Sequence, residues 1–507
     1  MSRPRPILFT LLLAVAASAC SNGSDRAQAD GDGTGSQAGE AIFDSAVVHE
    51  IEVSFDEDDY DEMIATFSGT GQKTWIEATV TIDGTTYERV GMRLKGNSSL
   101  AGLGGGIGGR RPGPTTETTT AAGEESTTTT TSPADQEGAS GGGGRFGSAS
   151  AENPEDLPWL IRLDEFVEGQ DHQGYEDLVV RSNGSETSLN EAVALDLLAE
   201  AGLASQEAAA TSFSVNGGDS VLRLAIEHPD DDAWQEANFD GDGALYKAES
   251  TGDWSYRGDD EAAYEEIWDQ EGGSDTTDLA PLIEFLQFLN ESDGATFAAE
   301  LPERLDVEGF ARYLAMMELV ANFDDIDGPG NNAYLWYDVA TEQFTVVAWD
   351  LNLAFGGFGA GGGPGAGGPP EGFELPEGVE PPEGFDPTQL PEGFDPSQLP
   401  EGVELPEGFD PTQLPEGVER GRGPGGGGPG EFGRSNVLVE RFHANAEFEA
   451  LYQQQLVDLR EALYGSDVAA DVLASWVDTL TEEAAALVDG ATVTDEAEAI
   501  SEQFTAT

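Results

Sequence analysis

Apolar and polar positions alternate along 47–55 (VVHEIEVSF) and again through 75–96 (WIEATVTIDGTTYERVGMRLKG), where Asp83-Gly84 divides two runs. Period-two alternation about an Asp-Gly pair predicts a β-hairpin, with a further strand leading out of it. Residues 159–167 and 177–181 read as strands as well. In SLNEAVALDLLAEAGL (188–203) the period lengthens. Leu189, Val193, Leu197 and Leu198 share one face and Gly202 stands near the stop, which predicts a helix. Strand-like runs follow at 210–215 (ATSFSV) and 221–228 (VLRLAIEH). After Lys247 the pattern turns helical in AAYEEIWDQ, LAPLIEFLQFLN and VEGFARYLAMMELVANF (307–323). NAYLWYDVATEQFTVVAWD (332–350) reads as a strand pair, and 435–488 is helical throughout. Strands first and helices after, with a strand pair inserted among the helices, predict an α+β fold of two lobes.

Three stretches carry no hydrophobic period. Residues 21–42 are small and polar, as in a flexible tether. Residues 101–152 hold Gly runs and a Thr-rich tract (TTETTTAAGEESTTTTT). Residues 356–433 open on GGFGAGGGPGAGGPP and continue as a degenerate repeat, PEGFDPTQL (382–390), PEGFDPSQL (391–399) and PEGFDPTQL (406–414). That period is too short and too rich in proline for a solenoid, so both inserts are expected to be disordered. Setting these stretches and the first 20 residues aside leaves 335 residues for folded structure.

The first 20 residues read MSRPRPILFTLLLAVAASAC: two arginines, a short apolar run and small residues ending at Cys20. The run is too short to span a bilayer and suits a secretory signal. Ala17, Ser18 and Ala19 directly before Cys20 resemble a bacterial lipoprotein cleavage box, in which Cys20 is lipidated and becomes the new N-terminus. The expected location is extracytoplasmic, with a lipid anchor as the only membrane contact. As the single cysteine of the chain, Cys20 also leaves no intramolecular disulfide and no cysteine-based zinc site.

Charge narrows the partners. Lys+Arg number 22 against 98 Asp+Glu, a net charge of −76. Removing Arg3 and Arg5 with the signal leaves 20 against 98, a net of −78. Such a surface repels phosphate backbones, which excludes nucleic acid, and it favours divalent cations as counter-species. Lysine is nearly absent, with three residues (73, 95 and 247) against 19 arginines.

Chemistry concentrates in 322–356, NFDDIDGPGNNAYLWYDVATEQFTVVAWDLNLAFG. A helix ends in a loop of acids, a hairpin follows, and its second strand delivers Asp350 into the next loop. Asn332 stands five residues after Asp327, the step found in the protein-kinase catalytic loop between the base and a metal ligand. Asp350 takes the place of the kinase metal-binding aspartate. A lysine of the first lobe, Lys247 or Lys95, could neutralise nucleotide phosphates, with Glu227 holding it and Arg181 placed near the phosphates. Residues 238–249 (NFDGDGALYKAE) also fit a calcium-loop pattern through Asn238, Asp240, Asp242, Gly243, Leu245 and Glu249, but Asn at the first position and no exiting helix after Glu249 make a turn before a strand the default.

With these motifs in place, the chain resembles the spore coat protein H (CotH) kinase family of secreted or surface-linked atypical protein kinases. VGMRLKGNSS (90–99), LDEFVEGQDHQGYEDLVVRSN (163–183), LYKAE (245–249) and the pair DDIDGPGNNAYLW with VVAWDLNLAFGG carry the resemblance. It runs from about Val47 to Val488, interrupted by the two inserts. The resemblance implies ATP-dependent phosphorylation of Ser or Thr on surface or coat proteins. Asp327 would be the catalytic aspartate, with Asp350 and Asn332 as ligands of Mg²⁺ or Mn²⁺. Where the family often carries a second acid after the Trp-Asp pair, this chain has Asn352.

The expected organisation is a two-lobed, atypical-kinase-like α+β fold. The first lobe takes 43–100 and 153–250, the second 251–355 and 434–507. The competing expectation is a catalytically silent acidic lipoprotein that uses the same fold for cation-dependent adhesion or coat assembly.

Overall fold

Alternation carries the first half of the chain into strands, and the strands close on themselves. The computed structural model describes residues 41–96, 98–103, 149–249, 253–265, 267–273, 278–322, 324–327, 332–356 and 436–505. The expected signal with Cys20, nearly all of the tether and both inserts apart from their end residues lie outside the described residues.

Seven strands form a closed barrel: β1 (Val48–Phe55), β2 (Ile76–Ile82), β3 (Thr85–Leu94), β4 (Trp159–Arg162), β5 (Asp177–Val180), β6 (Ala208–Val215) and β7 (Val221–Ile226). Their order is β1-β2-β3-β4-β5-β7-β6, and β6 returns parallel to β1 with Ile51 opposite Phe213. The β2–β3 turn has Asp83 at φ 46° and Gly84 at φ 79°, the left-handed pair that a two-residue hairpin turn requires. Ile51, Val53, Val80, Ile82, Met92, Trp159, Ile161 and Phe213 fill the core on one face of these strands.

Helix α1 (Glu57–Thr70) follows β1, capped by Asp56, whose side chain accepts from the Asp58 amide. It buries Tyr60, Met63 and Phe67 in the same core. Residues 98–103, at the edge of the expected first insert, form a helical turn with Leu100 and Leu103 buried. On the other side of that insert, Tyr60 Oη donates to the Ala151 carbonyl at 2.9 Å.

The opposite face of the barrel packs on α2 (Leu189–Glu200), which is buried on almost every side. Trp476 Nε1 donates to Asp196 Oδ2 of α2 at 2.7 Å. Burial pushes the Asp196 carboxyl up to about 6, with that hydrogen bond acting against it. An acid whose folded-state pKa is raised gains stability as pH falls and loses it as pH rises through about 6. Asp196→Asn keeps an acceptor for the indole and removes the buried charge. It is expected to stabilise the chain at pH 7.5 by on the order of 1–2 kcal/mol, with the gain vanishing below about pH 4. Thermal melting of both proteins across that range checks this, and a variant that melts below the parent at pH 7.5 refutes it.

A second sheet has the order β11-β10-β8-β9, all antiparallel. Its members are β8 (Gly243–Ala248), β9 (Trp268–Gly273), β10 (Ala333–Asp338) and β11 (Gln343–Ala348). The strand carrying Lys247, expected in the first lobe, therefore pairs with the hairpin of the second. β9 also corrects the helical reading of AAYEEIWDQ. Its residues suit a helix locally, but Trp268 is 1% exposed, stands opposite Ala248 and meets the Trp254 ring edge-on at 5.3 Å. Tertiary burial outweighs local propensity here. After Asp231, which caps it, α3 (Asp232–Asn238) leads into β8.

The remaining helices are α4 (Ala280–Glu291), α5 (Gly294–Glu300), α6 (Val307–Leu319), α7 (Val437–Ala444), α8 (Ala446–Leu459), α9 (Val468–Glu483) and α10 (Gly490–Thr505), the last two packed on α2. Glu496 of α10 accepts from Ser185 Oγ at 2.8 Å, from the Glu186 amide at 3.0 Å and from the Thr187 hydroxyl, tying down the loop that enters α2. Phe504 of α10 meets Phe355 and Tyr464. The whole is α+β. Among the described residues, no helix is long and apolar enough to cross a membrane.

Candidate active site

Strand ends from both sheets converge on Trp349. Lys95 leaves β3 and Arg181 leaves β5; their charged heads lie 5.6 and 5.8 Å from the Trp349 ring centroid. His228, just past β7, meets the same ring edge-on at 5.9 Å. Lys247 of β8 sits 5.0 Å from the Tyr334 ring, and Tyr334 in turn meets Trp349 edge-on at 5.6 Å. One indole thus gathers residues that the chain separates widely.

All three lysines belong to this site. Burial and then the neighbouring Lys95 charge push Lys247 down to about 8, and the same two causes bring Lys73 to about 8. Arg93 adds to the repulsion on Lys73. Acids stand opposite: the charges of Glu249, Asp350 and Asp230 act on Lys247. Glu249 also groups with Asp269 and Glu271 of β9, with oxygens within 4.8 Å of one another. Burial, then Glu249, pushes Asp269 up to about 6.

Asp350 follows β11 with a left-handed backbone, φ 64°. Its carboxylate pairs with Arg181, which also reaches Glu191 of α2 at 2.9 Å. Arg181 and Glu191 are buried, with side chains 7% and 2% exposed, whereas the Asp350 side chain is 24% exposed. Asp324 faces Asp350 electrostatically: burial and then the Asp350 charge push it up to about 6. Asn332 Nδ2 donates to the Asp324 carbonyl at 2.9 Å, and its side chain also bonds the Asp324 carboxyl. Two facing carboxylates beside a carboxamide are a donor set that a hard divalent cation would satisfy.

Asp327 lies elsewhere in the loop. The Asn436 amide donates to its Oδ1 at 3.4 Å, and His443 and Glu440 act on it electrostatically. The structure therefore brings Asp350, Asn332, Arg181, Lys95 and Lys247 into one neighbourhood and sets Asp327 toward α7. Glu227, next to His228 in the chain, accepts from the Glu207 amide at 2.8 Å.

The calcium-loop pattern does not close. Gly243–Ala248 is a strand, which carries Glu249 about 20 Å from Asp242 at ~3.3 Å per residue. Gly243 answers a different need, since a Cβ there would lie 2.1 Å from the Trp336 ring.

Sequence reading missed Asp324, His228, Glu191 and Trp349. The scarcity of lysine was the available signal: three lysines in so acidic a chain pointed to one place, and Lys73 belonged with the other two. Residues 145–484 match the family model described as CotH kinase protein. No curated protein matches the chain.

Proposed function

The chain belongs to the CotH kinase family, and from that premise we propose that it transfers the γ-phosphoryl group of ATP to a serine or threonine of a surface or coat protein. One observation carries the reading. In a chain with 98 acidic residues, Lys73 and Lys247 both lie within electrostatic reach of Lys95, opposite a pair of facing carboxylates. A triphosphate suits the first group and a divalent cation the second. In this reading the barrel serves as one lobe, and the second sheet with its helices as the other.

Lys95, Lys247 and Lys73 hold phosphate oxygens, and Trp349 keeps the heads of Lys95 and Arg181 in place. Asp350, Asn332 and Asp324 would hold magnesium or manganese, which when bound neutralises charge between carboxylates and phosphates. Asp327, set apart from those acids, orients the acceptor hydroxyl.

The two aspartates of the loop separate these roles experimentally. Asp327→Asn is expected to slow phosphoryl transfer about a hundredfold or more while Mg·ATP affinity stays as in the parent. Asp324→Asn is expected to weaken Mg·ATP binding directly. Radiolabel transfer from ATP beside calorimetric titration distinguishes them, and identical behaviour of the two variants rules out this division of labour.

The anchor is part of the same proposal. The small-residue box before Cys20 supports lipidation there, and with it an extracytoplasmic site. The parent is expected in the detergent phase on partitioning and Cys20→Ser in the aqueous phase; an aqueous parent refutes the anchor.

A further inference from the structure

Protein kinases steady the phosphate-binding lysine with a glutamate. Here the group beside Lys95 is an imidazole: Lys95 Nζ lies 2.6 Å from His228 Nε2. The ring is fully buried, and its other nitrogen, Nδ1, lies 2.8 Å from Asp177 Oδ2. Arg162 grips the same carboxylate with two bonds, at 2.8 and 2.6 Å.

This chain of contacts fixes the proton. Burial alone would raise the Asp177 carboxyl, but the hydrogen bonds from Arg162 and His228 outweigh it and hold the group ionised. An ionised carboxylate only accepts, so Nδ1 carries the hydrogen and Nε2 presents a lone pair. Burial, then the Lys95 charge, pushes the imidazole down to about 3, so the ring is neutral and accepts from the ammonium.

Asp230 stands close by, its Oδ2 3.1 Å from the same Nε2. Burial drives its carboxyl up to about 7 against the pull of Lys95. Without the imidazole, the ammonium would be free to turn onto Asp230 as a direct ion pair.

Given the reading of Lys95 as a phosphate ligand, on which this rests, we infer that His228 is its positioning residue. A neutral acceptor fixes the ammonium without cancelling its charge, so the full charge is presented to the nucleotide. The Asp177–Arg162 pair behind the ring sets its tautomer, much as carboxylates behind metal-bound histidines fix theirs.

Two measurements on the full chain test the inference. With ¹⁵N at lysine Nζ, the protein has only three ammonium groups to observe, one per lysine. The Lys95 signal is expected to be hydrogen-bonded and slow to exchange in the parent, lost in His228→Leu and kept in His228→Gln, which retains an acceptor. An unchanged Lys95 signal in His228→Leu overturns the inference.

Calorimetry of Mg·ATP supplies the second. Lys95→Met and His228→Leu are each expected to weaken binding about tenfold or more, and the double variant no further than Lys95→Met alone. Additive losses mean that His228 acts other than through Lys95, and the inference falls. Where His228→Leu does not fold, His228→Gln carries the test: binding within about threefold of the parent supports the inference, and a loss as large as that of Lys95→Met overturns it. If Lys95→Met binds Mg·ATP like the parent, it is the phosphate-ligand reading that fails, whatever the ammonium signal shows.

Discussion

Asp350→Asn is expected to abolish magnesium-dependent ATP binding and to lower phosphoryl transfer by more than about a thousandfold. Asparagine is the informative replacement because the backbone at 350 is left-handed, which asparagine tolerates and alanine does not. The substitution removes one negative charge and leaves the shape. Asp324 then loses the like charge that helps to raise it, and a cation between the two positions loses one carboxylate ligand. Arg181 stays neutralised by Glu191, so the fold should persist. Calorimetric titration of Mg·ATP beside radiolabel transfer gives both readings. A variant that binds and transfers like the parent would show that the cation is held elsewhere, and the Glu249, Asp269 and Glu271 group would be the next place to look.

Arg181→Met is expected to be the most destabilising single change in the site, by about 3–5 kcal/mol. Arginine at this position serves two carboxylates, one of them Glu191 within a helix buried on almost every side. Its removal leaves that carboxylate uncompensated, and burial already raises the Glu191 pKa with Arg181 in place. The double replacement Arg181→Met with Glu191→Leu should recover much of the loss, because two apolar side chains of similar size leave no charge to desolvate. Activity should not return with stability, since Asp350 would then lack the partner that holds it. Urea denaturation of the single and double variants checks the first two statements. A single variant as stable as the parent would mean that the Arg181–Glu191 pair contributes nothing to the fold.

Several elements were legible because their signal is local. The hairpin at Asp83-Gly84 needs only alternation and a turn that tolerates two left-handed residues, and both lie within twenty residues of sequence. Helix α2 announced itself by spacing. Helix α1 could have been read in the same way, since Tyr60, Met63 and Phe67 recur at helical intervals behind a capping Asp56, but the run of acids hides the stripe. β9 was not legible: WDQEGG shows no alternation and follows the helix-like AAYEEI, and only pairing with β8 makes it a strand.

The site divides along the same line. The step from Asp327 to Asn332 pointed to the loop that also carries Asp324, because a motif is a local spacing. Which aspartate of that loop faces Asp350 depends on how the loop is folded, and no period encodes it. His228 is separated from Lys95 by 133 residues. Barrel closure brings them together, and sequence patterning gives no sign of a contact made that way.

The segment shared with the family closes at residue 484, while α10 runs from Gly490 to Thr505. This helix lies past the matched residues, and its Glu496 ties the loop that leads from Arg181 into α2, where Glu191 sits. The site is accordingly not portable as the shared segment alone. A chimera that transplanted residues 145–484 into another member would move Lys247 of the second sheet without the brace on the loop into α2, and would leave Lys73 and Lys95 behind as well. In this chain the framework that supports the chemistry extends beyond the matched residues on both sides, and an exchange would have to carry those flanks with it.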